Sequence, residues 1–115
     1  MRYPIFFGLV FIGSACGGAQ IDIRNQSSTR LQDVTVAARG ASSSIKLVEP
    51  RSEQHTSICP KGEAGVLEVS FTANGKVYRS EESLYFECNS SYVIKVEVLP
   101  TFDVSAAVGL KATYR

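Results

Sequence analysis

Few side chains in this chain have the types and spacing that chemistry needs. The single histidine, His55, stands in His55-Thr56-Ser57, which sets an imidazole beside hydroxyls in sequence. A Ser–His pair acts only when the two groups meet in space with an acid orienting the imidazole. Adjacent strand residues point to opposite faces, so neighbours in sequence do not supply that meeting. Catalysis at His55 would need acidic residues gathered around it in a pocket. A metal site needs several ligands, and the chain offers one histidine and three cysteines, Cys16, Cys59 and Cys88. Glu81 and Glu82 are adjacent carboxylates expected on a solvated turn; acid–base work would require both to face one substrate. Gly17-Gly18 and the Gly62 to Gly65 stretch lack the lysine and the strand–helix setting of a phosphate loop. Asn25-Gln26-Ser27 and Asn89-Ser90-Ser91 match a glycosylation sequon but read as turns. On these readings the protein is not an enzyme and takes no metal and no cofactor.

The aromatic residues Tyr78, Tyr85, Tyr92, Phe102 and Tyr114 fall in the second half of the chain. Tyr85 sits opposite the inward face that Leu84, Phe86 and Cys88 would form. Tyrosines on an outer sheet face suit a glycan or a protein partner, which makes Tyr78 and Tyr85 the candidate binding surface. Strands favour aromatics in any case, so composition alone does not mark a site.

The N-terminus carries the clearest signal. Arg2 supplies a positive start, Ile5 to Ile12 is an apolar run too short to span a bilayer, and Gly13-Ser14-Ala15-Cys16-Gly17-Gly18-Ala19 is a small-residue stretch. That order is the pattern of a secretory leader. At Gly13-Ser14-Ala15-Cys16 it resembles a bacterial lipobox. Ser14 and Ala15 match that pattern; Gly13 departs from it, because the family favours Leu or another aliphatic there. The resemblance covers about the first sixteen residues. It implies that the Cys16 thiol receives a diacylglycerol and becomes the first residue of the mature, palmitate-bearing lipoprotein. Gly17 stands where an inner-membrane retention signal of that family would place Asp, so the resemblance points to the outer membrane. The alternative is cleavage after Ala19, giving a soluble periplasmic or secreted product. The expected organisation is a signal peptide over 1–15, a lipid-anchor tether over 16–19 and one β domain over 20–115. Under either route Cys59 and Cys88 remain as a pair in an oxidising compartment, where a disulfide is expected.

At 115 residues the chain suits one domain, and 44% hydrophobic with 20% charged residues is ordinary for a globular protein. Formal net charge is +1, and without Arg2 the basic and acidic side chains balance. A neutral body lacks the footprint of a nucleic-acid binder.

Turn residues recur every eight to twelve positions between alternating apolar runs, which is the signature of an all-β sandwich or barrel. Strands are expected at Ile21 to Arg24, Leu31 to Arg39, around Ile45 and Leu47, at Gln54 to Cys59, over Leu67 to Ala73, from Val77, over Ser83 to Cys88 and from Tyr92 to Val98. Asn25 to Thr29 is expected as a polar turn, Gly40 to Ser43 as a loop, and Pro60 to Gly65 as the longest irregular stretch. Asn74-Gly75 is the strongest hairpin signal, because both residues tolerate the positive φ of a type I′ turn. The last alternation places Phe102, Val104, Ala106, Val108, Leu110, Ala112 and Tyr114 on one face of a long final strand. That strand could pair with another chain. The expectation is a single immunoglobulin-like or related β-sandwich of about seven to nine strands with one disulfide. The expected function is that of a small envelope lipoprotein whose non-catalytic domain binds a protein or joins a surface assembly. The alternatives are a glycan or peptidoglycan-binding module and an inhibitor or immunity protein against an envelope hydrolase.

Overall fold

The computed structural model describes residues 18–111. They form eight strands, β1 (Ala19–Asn25), β2 (Leu31–Ala38), β3 (Ala41–Val48), β4 (Glu53–Ile58), β5 (Ala64–Ala73), β6 (Lys76–Phe86), β7 (Tyr92–Val98) and β8 (Val104–Leu110). One sheet has the order β4-β1-β7-β8 and the other β3-β2-β5-β6. The two pack face to face as a sandwich. All pairings are antiparallel except β1 with β7. The leader and Cys16, together with Ala112 and Tyr114, lie outside the described residues.

The core follows from the period-two alternation of apolar residues. Ile21 and Ile23 of β1 and Ile94, Val96 and Val98 of β7 meet Val34 and Val36 of β2 and Leu67, Val69 and Phe71 of β5, all essentially sealed from solvent. In β2 the alternation slips, since Leu31 and Val34 are both buried although three residues apart. Asp33, at φ 51°, marks a bulge there and shifts the register against β5. The Asn74-Gly75 turn forms as expected, with φ values of 54° and 76°.

Four local expectations are corrected. Gly40 to Ser43 is not a loop: Arg39-Gly40 alone makes the turn, and Ala41 already belongs to β3. Gly65 lies within β5, so the irregular stretch ends before Ala64. Glu81 and Glu82 are not on a turn but in the middle of β6, one continuous strand that fuses the two segments expected there. Phe102 is not a strand residue; it sits in the β7–β8 turn at φ 70° and places its ring 4.9 Å from that of Tyr78.

Both ends of the sandwich carry connections that cross between sheets, and each end is tied by one group. At the first end, β4 leads to β5 and β6 leads to β7. Cys59 follows β4, Cys88 follows β6, and the two form the expected disulfide across 29 positions. At the opposite end, β1 leads to β2 and β3 leads to β4. There the fully buried Asn25 donates its side-chain N–H groups to the carbonyls of Thr29 (2.7 Å), Val48 (3.2 Å) and Glu49 (3.2 Å). Its Oδ1 accepts the Ser27 amide at 3.0 Å and the Ser27 hydroxyl at 2.7 Å. A buried asparagine saturated in this way is a structural tie and is closed to glycosylation.

Candidate functional site

Two features stand out on the surface of the β4-β1-β7-β8 sheet. The first is its solvent-facing grid, whose rows follow directly from register. One row runs Glu53, Arg24, Glu97, Ser105; the next His55, Asp22, Lys95, Ala107; the third Ser57, Gln20, Val93, Gly109. The charges alternate in both directions, as cross-strand pairing favours.

Asp22 is the centre of this grid. Its side chain is only 7% exposed. Its Oδ1 accepts His55 Nδ1 at 2.6 Å and Gln20 Nε2 at 2.8 Å, and its Oδ2 lies 3.4 Å from Lys95 Nζ. Burial works against ionisation, but the hydrogen bonds from Gln20, His55 and Lys95, with the charge of His55, outweigh it. The carboxyl is held below its ordinary value of 3.8. A lowered carboxyl pKa contributes stability above that ordinary value and loses it as pH falls through the folded-state value. Asp22→Asn should therefore be less stable than wild type above pH 3.8 and should lose less stability on acidification below it, so that the two pH–stability curves converge in acid; measuring both curves tests this.

The structure does gather acidic residues around His55, which sequence reasoning missed. Asp22, 33 positions away, and Glu53 offer ligand atoms that lie with His55 within 4.8 Å of one another. The local signal was Glu53-x-His55, two residues that share a strand face. The arrangement is open and already satisfied. Glu53 Oε1 is 3.6 Å from Arg24, and Asp22 is bonded by Gln20, His55 and Lys95. Imidazole Nε2 is 3.8 Å from Glu53 Oε2. Glu81 and Glu82 do not share a face: Glu81 lies across from Glu68, whereas Glu82 accepts the Ser80 hydroxyl on the other side of β6.

The second feature is β8 itself. Leu99 N–H bonds Asp103 O at 2.8 Å and Lys111 N–H bonds Ser91 O at 2.7 Å, which fixes the hydrogen-bonding phase of the β7–β8 ladder. The odd-numbered residues bond to β7. The N–H and C=O groups of Val104, Ala106, Val108 and Leu110 therefore point outward. β8 reads VSAAVGL, with no charge and no proline. The other edge strands are guarded by charge: β3 by Lys46, β4 by Glu53, and β6 by Lys76, Arg79, Glu81 and Glu82. Beside β8, a shallow depression of about 480 Å³ is floored by Ala107 and Gly109 and walled by Asp22, Lys95 and Leu110. Expected inward alternation holds only at Val104 and Ala106; Val108 and Leu110 are 38% and 70% exposed.

The two tyrosines singled out as a surface are not brought together. Tyr78 faces inward and stacks on Phe71 at 5.3 Å, sealing the seam between β6 and β8 with Phe102. Tyr85 is exposed, meets Tyr92 edge to face at 6.5 Å and donates its hydroxyl to Glu87, which raises its pKa.

No family model matches the chain, and no curated protein matches it significantly. Two solved structures are similar in fold. A protein from Eubacterium rectale, solved by NMR, superposes with a TM-score of 0.59 at 13% identity, covering 88% of this chain and 97% of that one. A crystal structure described as that of a "putative cell adhesion protein" from Bacteroides ovatus superposes with a TM-score of 0.55 at 8% identity. It covers 99% of this chain, which spans 50% of that longer protein. At these identities the likeness shows the β-sandwich and nothing finer.

Proposed function

We propose that this protein is an exported, lipid-anchored module of a bacterial envelope that binds another protein by taking an extended segment of it along β8. The observation that carries the reading is the unguarded β8 edge. Outward-pointing N–H and C=O groups template strand addition, and natural proteins that avoid it place charge or proline there. An uncharged strand beside a depression floored by Ala107 and Gly109 leaves room for the incoming side chains. The leader pattern ending at Cys16 supports envelope placement. The fold neighbour described as a "putative cell adhesion protein" is compatible with a surface assembly, as a likeness of fold.

Val108→Pro tests this directly. It removes an outward N–H without touching the β7–β8 ladder, so the domain should keep its thermal midpoint. The wild-type protein, extracted in mild detergent, should co-purify with a stoichiometric partner that Val108→Pro loses. Retention of that partner by the variant would exclude β8 as the docking edge. Binding to cell-wall material that is lost in Tyr85→Ala would instead favour a glycan-binding module.

A further inference from the structure

We infer that the disulfide end of the sandwich rests against the lipid surface, with Tyr85 and Leu110 as its contact; this builds on the lipid-anchor reading of Cys16. The described chain enters the fold at this end. Ala19 pairs with Ile58, and Gly18 lies against the Ile58 backbone, one residue from Cys59. Cys16 is two residues before Gly18, a reach of about 7 Å even for extended chain. A lipid on Cys16 therefore cannot leave the disulfide end far from the membrane.

Strand directions place the exposed apolar side chains at the same end. Five large hydrophobic residues are exposed among the described residues: Val66, Val77, Tyr85, Val108 and Leu110. β5 begins at this end, so Val66 lies near it; β6 and β8 finish there, which brings Tyr85, Val108 and Leu110 to it. Only Val77 is at the far end, beside the Asn74-Gly75 turn. Leu110 pairs with Tyr92, whose ring meets Tyr85, so these residues form one amphipathic cluster. Tyrosine rings beside aliphatic tips suit the membrane–water interface. Arg39, Lys61 and Lys111 at this end are accompanied by Glu63 and Glu87, which leaves one net positive charge. Apolar insertion, more than charge, would set the orientation, and salt should affect it little.

The chain contains no tryptophan, so a single introduced indole reports on its own position. Tyr85→Trp and Val77→Trp are made in the full chain with its own leader, and intact mass establishes acylation of each. The two positions lie about 27 Å apart along β6. In vesicles containing bromine-labelled phosphatidylcholine, indole fluorescence of the Tyr85→Trp variant should be quenched at least about twofold more than that of the Val77→Trp variant, and should be blue-shifted. An acylated chain quenched equally at both sites, or more at position 77, overturns the orientation while leaving the anchor intact. A chain without lipid overturns both.

Discussion

Asn25→Ala is expected to destabilise the protein by roughly 3 kcal/mol or more, among the largest effects of any single polar substitution in this fold. The side chain is fully buried and supplies the N–H groups shared by three main-chain carbonyls, of Thr29, Val48 and Glu49. These carbonyls belong to two separate crossings between the sheets. Alanine would remove that donor from all three; Thr29 O keeps the Ser27 hydroxyl and Glu49 O keeps Ser52, so the loss is that of a set of buried hydrogen bonds, each at about 0.5–1.5 kcal/mol net, plus the cost of the void. Asn25→Asp sharpens the test. It keeps size and shape but removes the donor and aims a carboxylate at carbonyl oxygens, so it should be at least as damaging as alanine. Urea unfolding of the three proteins checks this. A small effect of Asn25→Asp would show that shape, and not donation, matters at this position.

Removing the disulfide should have a comparable effect at the opposite end. Cys59 and Cys88 close a loop across 29 positions, and its cross-link should contribute roughly 3–4 kcal/mol by restricting the unfolded chain. The paired Cys59→Ser, Cys88→Ser variant should lose about that amount in the urea transition. Wild-type protein measured in reductant should approach the same midpoint. The two effects should be nearly additive, because Asn25 and the disulfide tie opposite ends of the sandwich and share no partner. Strong coupling between them would mean that the ends do not act independently.

The two ties differ sharply in how visible they are in sequence. The disulfide is legible, because cysteines can be counted and their compartment argued from the leader. Asn25 is not legible: inside Asn25-Gln26-Ser27-Ser28-Thr29 it looks like any turn residue, and its partners at Val48 and Glu49 are more than twenty positions away. The strands are readable where one face is sealed, as in Leu67 to Ala73 and Ile94 to Val98, since burial imposes the period of two. They are not readable where edges are solvated. Along β6 both faces of its middle hold polar residues, Arg79 to Ser83, so a continuous strand resembles a turn between two shorter ones. The final alternation is real but shorter than its pattern suggests, because the pattern cannot show that Phe102 turns back onto Tyr78.

The surface grid shows the same limit. That Glu53 and His55 share a face follows from spacing alone, but that Asp22 lies opposite His55 is fixed by pairing between strands far apart in sequence. Likewise, β8 can be recognised as uncharged from its sequence, whereas its place at a sheet edge is a property of topology.

Acylation of Cys16 decides where the protein resides and how it is oriented, and intact mass measures it most directly. The protein should be produced in a bacterium with its own leader and weighed before and after reduction. A chain beginning at Cys16 that carries a diacylglycerol and amide-linked acyl mass, and gains two hydrogens on reduction, is the predicted result. A chain beginning at Gln20 without lipid would contradict the anchor, and with it the membrane-facing disulfide end, leaving a soluble β-sandwich whose partner must be sought in the periplasm or outside the cell.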